Sequence, residues 1–241
     1  MGLRVLVLDM DPQASISKGF FGPETVERLA PEQTLAMLFD EQFFFADRAR
    51  LLCETVIDNV LLCPSNSYLH AFNTPSPDAL GMEQQALAEF IQSEASTFDL
   101  VLIDCPPNLY RCSWTAMVAS DFVVIPVPPE DFGTQGLRAV HQAIEEVRQL
   151  NPKLRRLGHV ITRRDKKLVI HRHIDSQLRE YYKGQVFQTV VSELNDFKLA
   201  VSARTPIEFY RPKTVAADLM RSLAREILSH ICERTTRRHV A

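Results

Sequence analysis

Two short apolar runs that each end in a carboxylate constrain this chain more than anything else in it. "VLVLDMDPQ", residues 5–13, passes from apolar residues into Asp9 and Asp11, and "LVLIDCPPN", residues 100–108, ends at Asp104 ahead of Cys105-Pro106-Pro107. Unbroken apolar runs of this length read as strands buried on both faces, the pattern of a parallel sheet covered by helices. In such sheets ligands bind beyond the carboxyl ends of the strands, so acids placed there are the first candidates for chemistry.

The remaining pattern agrees with that reading. Strands are expected at 4–8, 60–63, 99–103, 122–127, 157–161 and 186–190, alternating with segments of helical period at 79–95, 134–150 and 213–232. The first helix would be capped by Pro77-Asp78 and turn Leu80, Leu87, Phe90 and Ile91 to one face. The expected architecture is α/β, a three-layer α/β/α arrangement with a mostly parallel sheet. With 241 residues and no linker or repeat, a single domain over 1–241 is expected.

Composition narrows the class further. Hydrophobic residues make up 46% and charged residues 24%, and no apolar run approaches the eighteen or more residues of a membrane span. The opening MGLRVLVLDMD reaches an acid too early for a signal-peptide core, so a cytoplasmic location is expected. Five scattered cysteines without a Cys-x-x-Cys pair suit reduced thiols. Charge is uneven: residues 1–131 hold 6 Lys/Arg against 19 Asp/Glu, whereas 132–241 hold 21 against 11. The basic half could meet a polyanion, although cations on solvated helices are the plainer account.

An apolar strand ending in one aspartate is how P-loop nucleotide hydrolases hold the water shell of magnesium, a hard ion that takes oxygen ligands. Asp104 alone is equally well explained as a helix cap, Asp9 as a cap after its strand, and Asp11-Pro12 as a turn dipeptide. His171-Arg172-His173 has metal-like chemistry without a partner at i, i+4, which favours a surface helix start.

The pieces together are more specific. "GLRVLVLDMDPQAS", "LLCPSN", "FDLVLIDCPPN" and "DFVVIPVPPEDFGTQGL", in this order and followed by "YRPKTVAADLMRSLAREI", resemble the ParA/MinD/Soj family of deviant P-loop ATPases, over nearly the whole chain. The resemblance implies ATP and Mg2+ as ligands. It gives Asp11 the task of orienting the attacking water, sets Asp9 beside the magnesium, and has Asp104 hold magnesium through water. Gln13, Pro106 and Pro107 would form segments that respond to the nucleotide, with Ala14 stiffening a position that is glycine in many relatives. Glu130 and Gly136 match a stretch that contributes to a dimer interface. Lys198, with the basic run Arg163, Arg164, Lys166 and Lys167, would touch the DNA backbone.

One element of that family is missing from the sequence. None of the eight glycines begins a G-x-x-x-x-G-K-[S/T] string, whose backbone N–H groups and lysine would clamp the phosphates. The expectation is therefore an N-terminally incomplete ATPase domain, with its true start upstream or a truncated gene copy, and with weak ATP binding as it stands. The implied function is an ATP-dependent homodimer that binds non-specific DNA on the nucleoid, stimulated by a ParB-like partner, in plasmid or chromosome partition. Two alternatives stay open: a non-catalytic relative that binds DNA or a partner, and a MinD-like membrane-positioning ATPase. The tail RTTRRHVA, lacking bulky apolar residues, argues against a membrane.

Overall fold

The computed structural model describes residues 2–43, 45–75, 82–129 and 134–238. They fall into two compact units, Met1–Ser120 with Ala143–Pro152, and Asp121–Gln142 with Lys153–Ala241.

The first unit is built on a four-stranded sheet of order β2-β3-β1-β4, with β1 at Val5–Asp9, β2 at Cys53–Glu54, β3 at Val60–Cys63 and β4 at Leu100–Asp104. The strand that opens the chain thus lies inside the sheet, parallel to β3 on one side and β4 on the other. Its Leu6 and Leu8 are fully buried and join Met10, Leu35, Phe39, Leu51, Leu87 and Phe90 in one core. That position explains why β1 is apolar at every residue until Asp9: both faces and both edges are covered. The two-residue β2, antiparallel to β3, forms one edge. At the other edge, β4 pairs with β1 alone among the described residues, and its Leu102 is 47% exposed. Four helices complete the unit: α1 (Ser15–Phe21), α2 (Pro23–Glu27), α3 (Ala86–Glu94) and α4 (Arg111–Val118). Gly22 at φ 83° separates α1 from α2, and Pro23 starts the second helix where a missing N–H costs nothing. The helix expected at 79–95 appears as a 3-10 turn, Met82–Gln85, running into α3. Its expected cap, Pro77-Asp78, lies outside the described residues.

The second unit carries a parallel pair, β5 (Phe122–Val127) and β6 (Arg155–Ile161), with a register shift between Val123 and Val124. Helices α6 (Val169–Tyr182), α7 (Asn195–Ser202), α8 (Ile207–Tyr210) and α9 (Val215–Arg238) follow, and α5 (Thr134–Val147) begins in this unit. Leu157, Val160, Phe187 and Leu223 form its core, with Ile227 and Ile231 of α9 packed against them. Gly158 is required by close approach: a Cβ there would come within 2.8 Å of the Phe187 ring.

The strand expected at 186–190 does not form, and the reason is local. Val186 makes a single bridge to His159, and Phe187 donates to the His159 carbonyl. The next two amides, of Gln188 and Thr189, turn instead to the carboxylate of Glu226 on α9. A side chain from a distant helix replaces the ladder.

A chain of rings ties α5, β6 and α6 together. Arg156 approaches His141 Nδ1 at 3.3 Å, His141 Nε2 meets His159 Nε2 at 3.0 Å, and His159 Nδ1 lies 3.1 Å from the Gln185 carbonyl. Arginine only donates and a carbonyl only accepts, so one proton assignment satisfies all three contacts. His141 carries its hydrogen on Nε2, His159 on Nδ1, and both rings are neutral. Tyr182 stacks on His159 at 4.2 Å between centroids.

Candidate functional site

The two strand-end acids meet. β1 and β4 run side by side in parallel register, which sets Asp9 directly opposite Asp104. The chain then leaves β1 through Met10, whose N–H donates to the Asp104 carbonyl at 2.8 Å, and reaches Asp11. An Asx turn forms there: Asp11 Oδ1 accepts from the Gln13 N–H at 2.9 Å, and the Asp11 carbonyl accepts from the Ala14 N–H at 2.8 Å. Ala14 itself is left-handed, at φ 56° and ψ 40°.

The three carboxylates differ in environment. Asp9 is fully buried, and its oxygens are engaged. Oδ2 accepts from both the N–H (2.9 Å) and the hydroxyl (2.6 Å) of Ser17, and Oδ1 faces the Asp11 N–H at 3.3 Å. Burial pushes its carboxyl above the ordinary range, while these hydrogen bonds pull against that rise. This aspartate, which the sequence suggested beside the magnesium, fastens the start of α1 to the end of β1 through Ser17. Asp104 is different. Half-buried, it has its carboxyl pushed up to about 6, first by burial and then by the charges of Asp9 and Asp11. Asp11 remains partly open to solvent.

No lysine or arginine is ion-paired to any of the three among the described residues. Nor do three acid, histidine or cysteine side chains there form a ready cage for a metal. Concentrated, unpaired negative charge with free oxygens fits a hydrated hard cation held through water at Asp104.

The remaining expected residues are distributed as follows. Pro106 is buried and Pro107 exposed in the turn after β4, where the Ser113 hydroxyl of α4 reaches the Pro106 and Asn108 carbonyls. Gln13 is exposed, its Nε2 3.5 Å from His70 Nε2. Gly136 lies exposed in the first turn of α5, and Glu130 lies outside the described residues. In the second unit, Lys166 and Lys167 are exposed, as is Arg163. Arg164 is instead committed to Asp175 at 2.9 Å. Lys198 pairs with Glu193 at 2.7 Å, and the two share a hollow of about 380 Å³ with Asp165, Lys167 and Asn195. That hollow brings together two of the expected DNA-contacting cations. Sequence reading missed Ser17 and Ser65 as the buried hydroxyls behind Asp9 and Asp11, although Ser65 falls within the piece LLCPSN at the end of an apolar run.

Comparison with known proteins accords with this geometry. The family model described as "AAA domain" matches residues 1–156. The chromosome-partitioning ATPase Soj of Thermus thermophilus is 28% identical, covering 97% of this chain and 86% of its own length. The sporulation initiation inhibitor protein Soj of Bacillus subtilis is 27% identical, covering 95% and 88%. Among solved structures, a variant of McdA from Cyanothece in complex with ATP superposes with a TM-score of 0.77 at 19% identity, over 96% of this chain and 86% of the other. A parallel sheet whose neighbouring strands end in paired acids therefore has its relatives among partition ATPases, and the chain belongs to the AAA-domain family, in its ParA/MinD branch of P-loop ATPases.

Proposed function

We propose that this chain is a partition protein of the ParA type whose first unit manages a divalent cation at Asp104 and Asp11, and whose second unit offers a basic surface to DNA. The observation that carries the reading is that parallel register sets Asp9 opposite Asp104 with Asp11 close by, and that burial first, and then the charges of Asp9 and Asp11, push the Asp104 carboxyl up to about 6. Folding places those charges together without a compensating side chain, an arrangement that a bound cation would stabilise. The partner-stimulated hydrolysis implied by the family would then use Asp11 to orient water. Cation binding at these carboxylates is the directly measurable part of that activity. The DNA face centres on Lys166, Lys167 and Lys198, with Arg163 beside them, acting on nucleic acid as a homodimer in the cytoplasm.

Titrating Mn2+ against wild type and Asp104→Asn tests the reading. The variant should bind at least about tenfold more weakly, the loss of one charge-assisted contact. Removing an acid that folding holds above its ordinary value should also stabilise the apo chain at pH 7, by about 1–2 kcal/mol after allowing for solvent screening. The sign follows from the proton: Asp104 holds one more readily folded than unfolded, so apo stability rises as pH falls from above 6 towards 4. Mn2+ affinity should fall over the same range. Unchanged Mn2+ affinity in Asp104→Asn would remove the basis for the proposal.

A second reading keeps the DNA face and drops catalysis, resting on the exposed Lys166 and Lys167 alone. Binding to DNA that is independent of nucleotide and steep in salt separates it from the first.

A further inference from the structure

We infer that Ser65 is a positioning residue for the carboxylate site: its hydroxyl holds the main chain of Asp11 and so sets where the Asp11 carboxylate stands. This rests on the reading that Asp11 and Asp104 face a cation.

Ser65 lies in the loop that follows β3, 54 residues from Asp11, and it is fully buried. Its Oγ–H donates to the Asp11 carbonyl at 3.1 Å, and its N–H donates to Ser17 Oγ at 3.0 Å. Ser17 passes its own hydroxyl proton on to Asp9 Oδ2. The directions are forced. A carbonyl accepts and never donates, so the Ser65 proton points at Asp11. The Ser65 amide has only a hydrogen to offer, so the Ser17 oxygen must accept it and give its proton to Asp9. One serine thus bridges the backbone of one aspartate and, through Ser17, the side chain of the other.

Ser65 is also anchored and does not simply follow Asp11. Its neighbour Asn66, fully buried, uses Nδ2 to reach the carbonyls of Val26, in the last turn of α2, and Leu29, just past it, at 3.2 and 3.0 Å. Asn66 Oδ1 accepts from the Tyr68 N–H at 3.1 Å, which closes the turn. The loop is therefore fixed before Ser65 reaches across. On the other side, the Asp11 turn is held by Met10 N–H to the Asp104 carbonyl of β4 and, within the turn, by the Ala14 N–H to the Asp11 carbonyl. Ser65 supplies the contact from outside. Without it, the Asp11 carbonyl keeps only the Ala14 hydrogen bond, and the turn that carries the carboxylate, closed on itself by the Gln13 N–H, loses its tie to the loop after β3 and can shift as a unit relative to Asp104.

A double-mutant cycle in Mn2+ affinity, read from the intensity of the free-Mn2+ paramagnetic resonance signal, tests this in the full chain. Ser65→Ala should weaken binding by about three- to tenfold, the size of one hydrogen bond lost. In an Asp11→Ala background the same change should have no further effect, because Ser65 acts through Asp11. Ser65→Cys, nearly the same shape with a weak donor, should show the same loss and serves if the alanine variant does not fold. Ser65→Thr, which keeps the hydroxyl, should restore binding. Wild-type affinity in Ser65→Ala or Ser65→Cys, or a full loss that adds to that of Asp11→Ala, overturns the inference. If Asp104→Asn weakens Mn2+ binding while Ser65→Ala does not, the cation site stands and only the role of Ser65 falls; if Asp104→Asn has no effect, the cation reading itself falls.

Discussion

Ala14 shows how much a single position can hide. The sequence suggested that alanine stiffens a loop where relatives carry glycine, and the backbone shows in what sense: the residue is left-handed and completely buried. An L-residue there is strained by about 1–2 kcal/mol, because its Cβ crowds the following carbonyl. Ala14→Gly removes that strain, against a gain of about 0.4–1 kcal/mol in unfolded-chain freedom. The expected result is a more stable protein by up to about 1 kcal/mol, read from urea midpoints. Ala139→Gly, in the exposed interior of α5, should go the other way by about 1 kcal/mol. A loss of stability at both sites would mean that position 14 is not strained. Asp9 marks the limit of reading at this scale. Its place at a strand end was legible, but its bond to Ser17 depends on α1 folding back over β1, and nothing in the seven intervening residues announces that.

At the scale of elements, strands were legible where an apolar run had no polar rival for its amides. β3 and β5 lie where the pattern set them, and β1 and β4 within one residue of it. The run 186–190 failed because Glu226, far along the chain, takes two of its N–H groups. The His141–His159 contact was likewise invisible, since it joins two elements whose facing residues no local period reveals. It makes a prediction about pH. Burial, with the Arg156 charge adding to it, holds the His159 ring below its ordinary range despite the hydrogen bond to Gln185. The unfolded chain therefore binds this proton more readily, and stability is lost as pH falls through about 6.5 and below. Protonation also sets a second N–H against the one that His141 donates, which breaks the assignment that keeps both rings neutral. His159→Gln should flatten the pH dependence of urea midpoints on the acid side of 7. An unaltered slope would show that this ring does not titrate with folding.

At the scale of the whole molecule, β4 pairs on one side only among the described residues. A parallel strand is normally buried on both faces, yet Leu102, in the middle of this one, is 47% exposed. Unpaired N–H and C=O groups beside an uncovered leucine form a template for another chain. The net charge of −3 offers little repulsion to oppose such contact. Concentration-dependent self-association through this edge is the expected behaviour, and sedimentation velocity across a dilution series would register it. Leu102→Glu places a charge on the uncovered face where wild type has a half-exposed side chain, so its effect on folding should stay within about 1 kcal/mol. Its effect on association should be large, because each joined pair of edges would have to bury two carboxylates without partners. A variant that folds as wild type does and remains monomeric at concentrations where wild type associates would place the contact at β4. Equal association in both proteins would place it elsewhere, with β5, which pairs with β6 alone, as the next edge to alter.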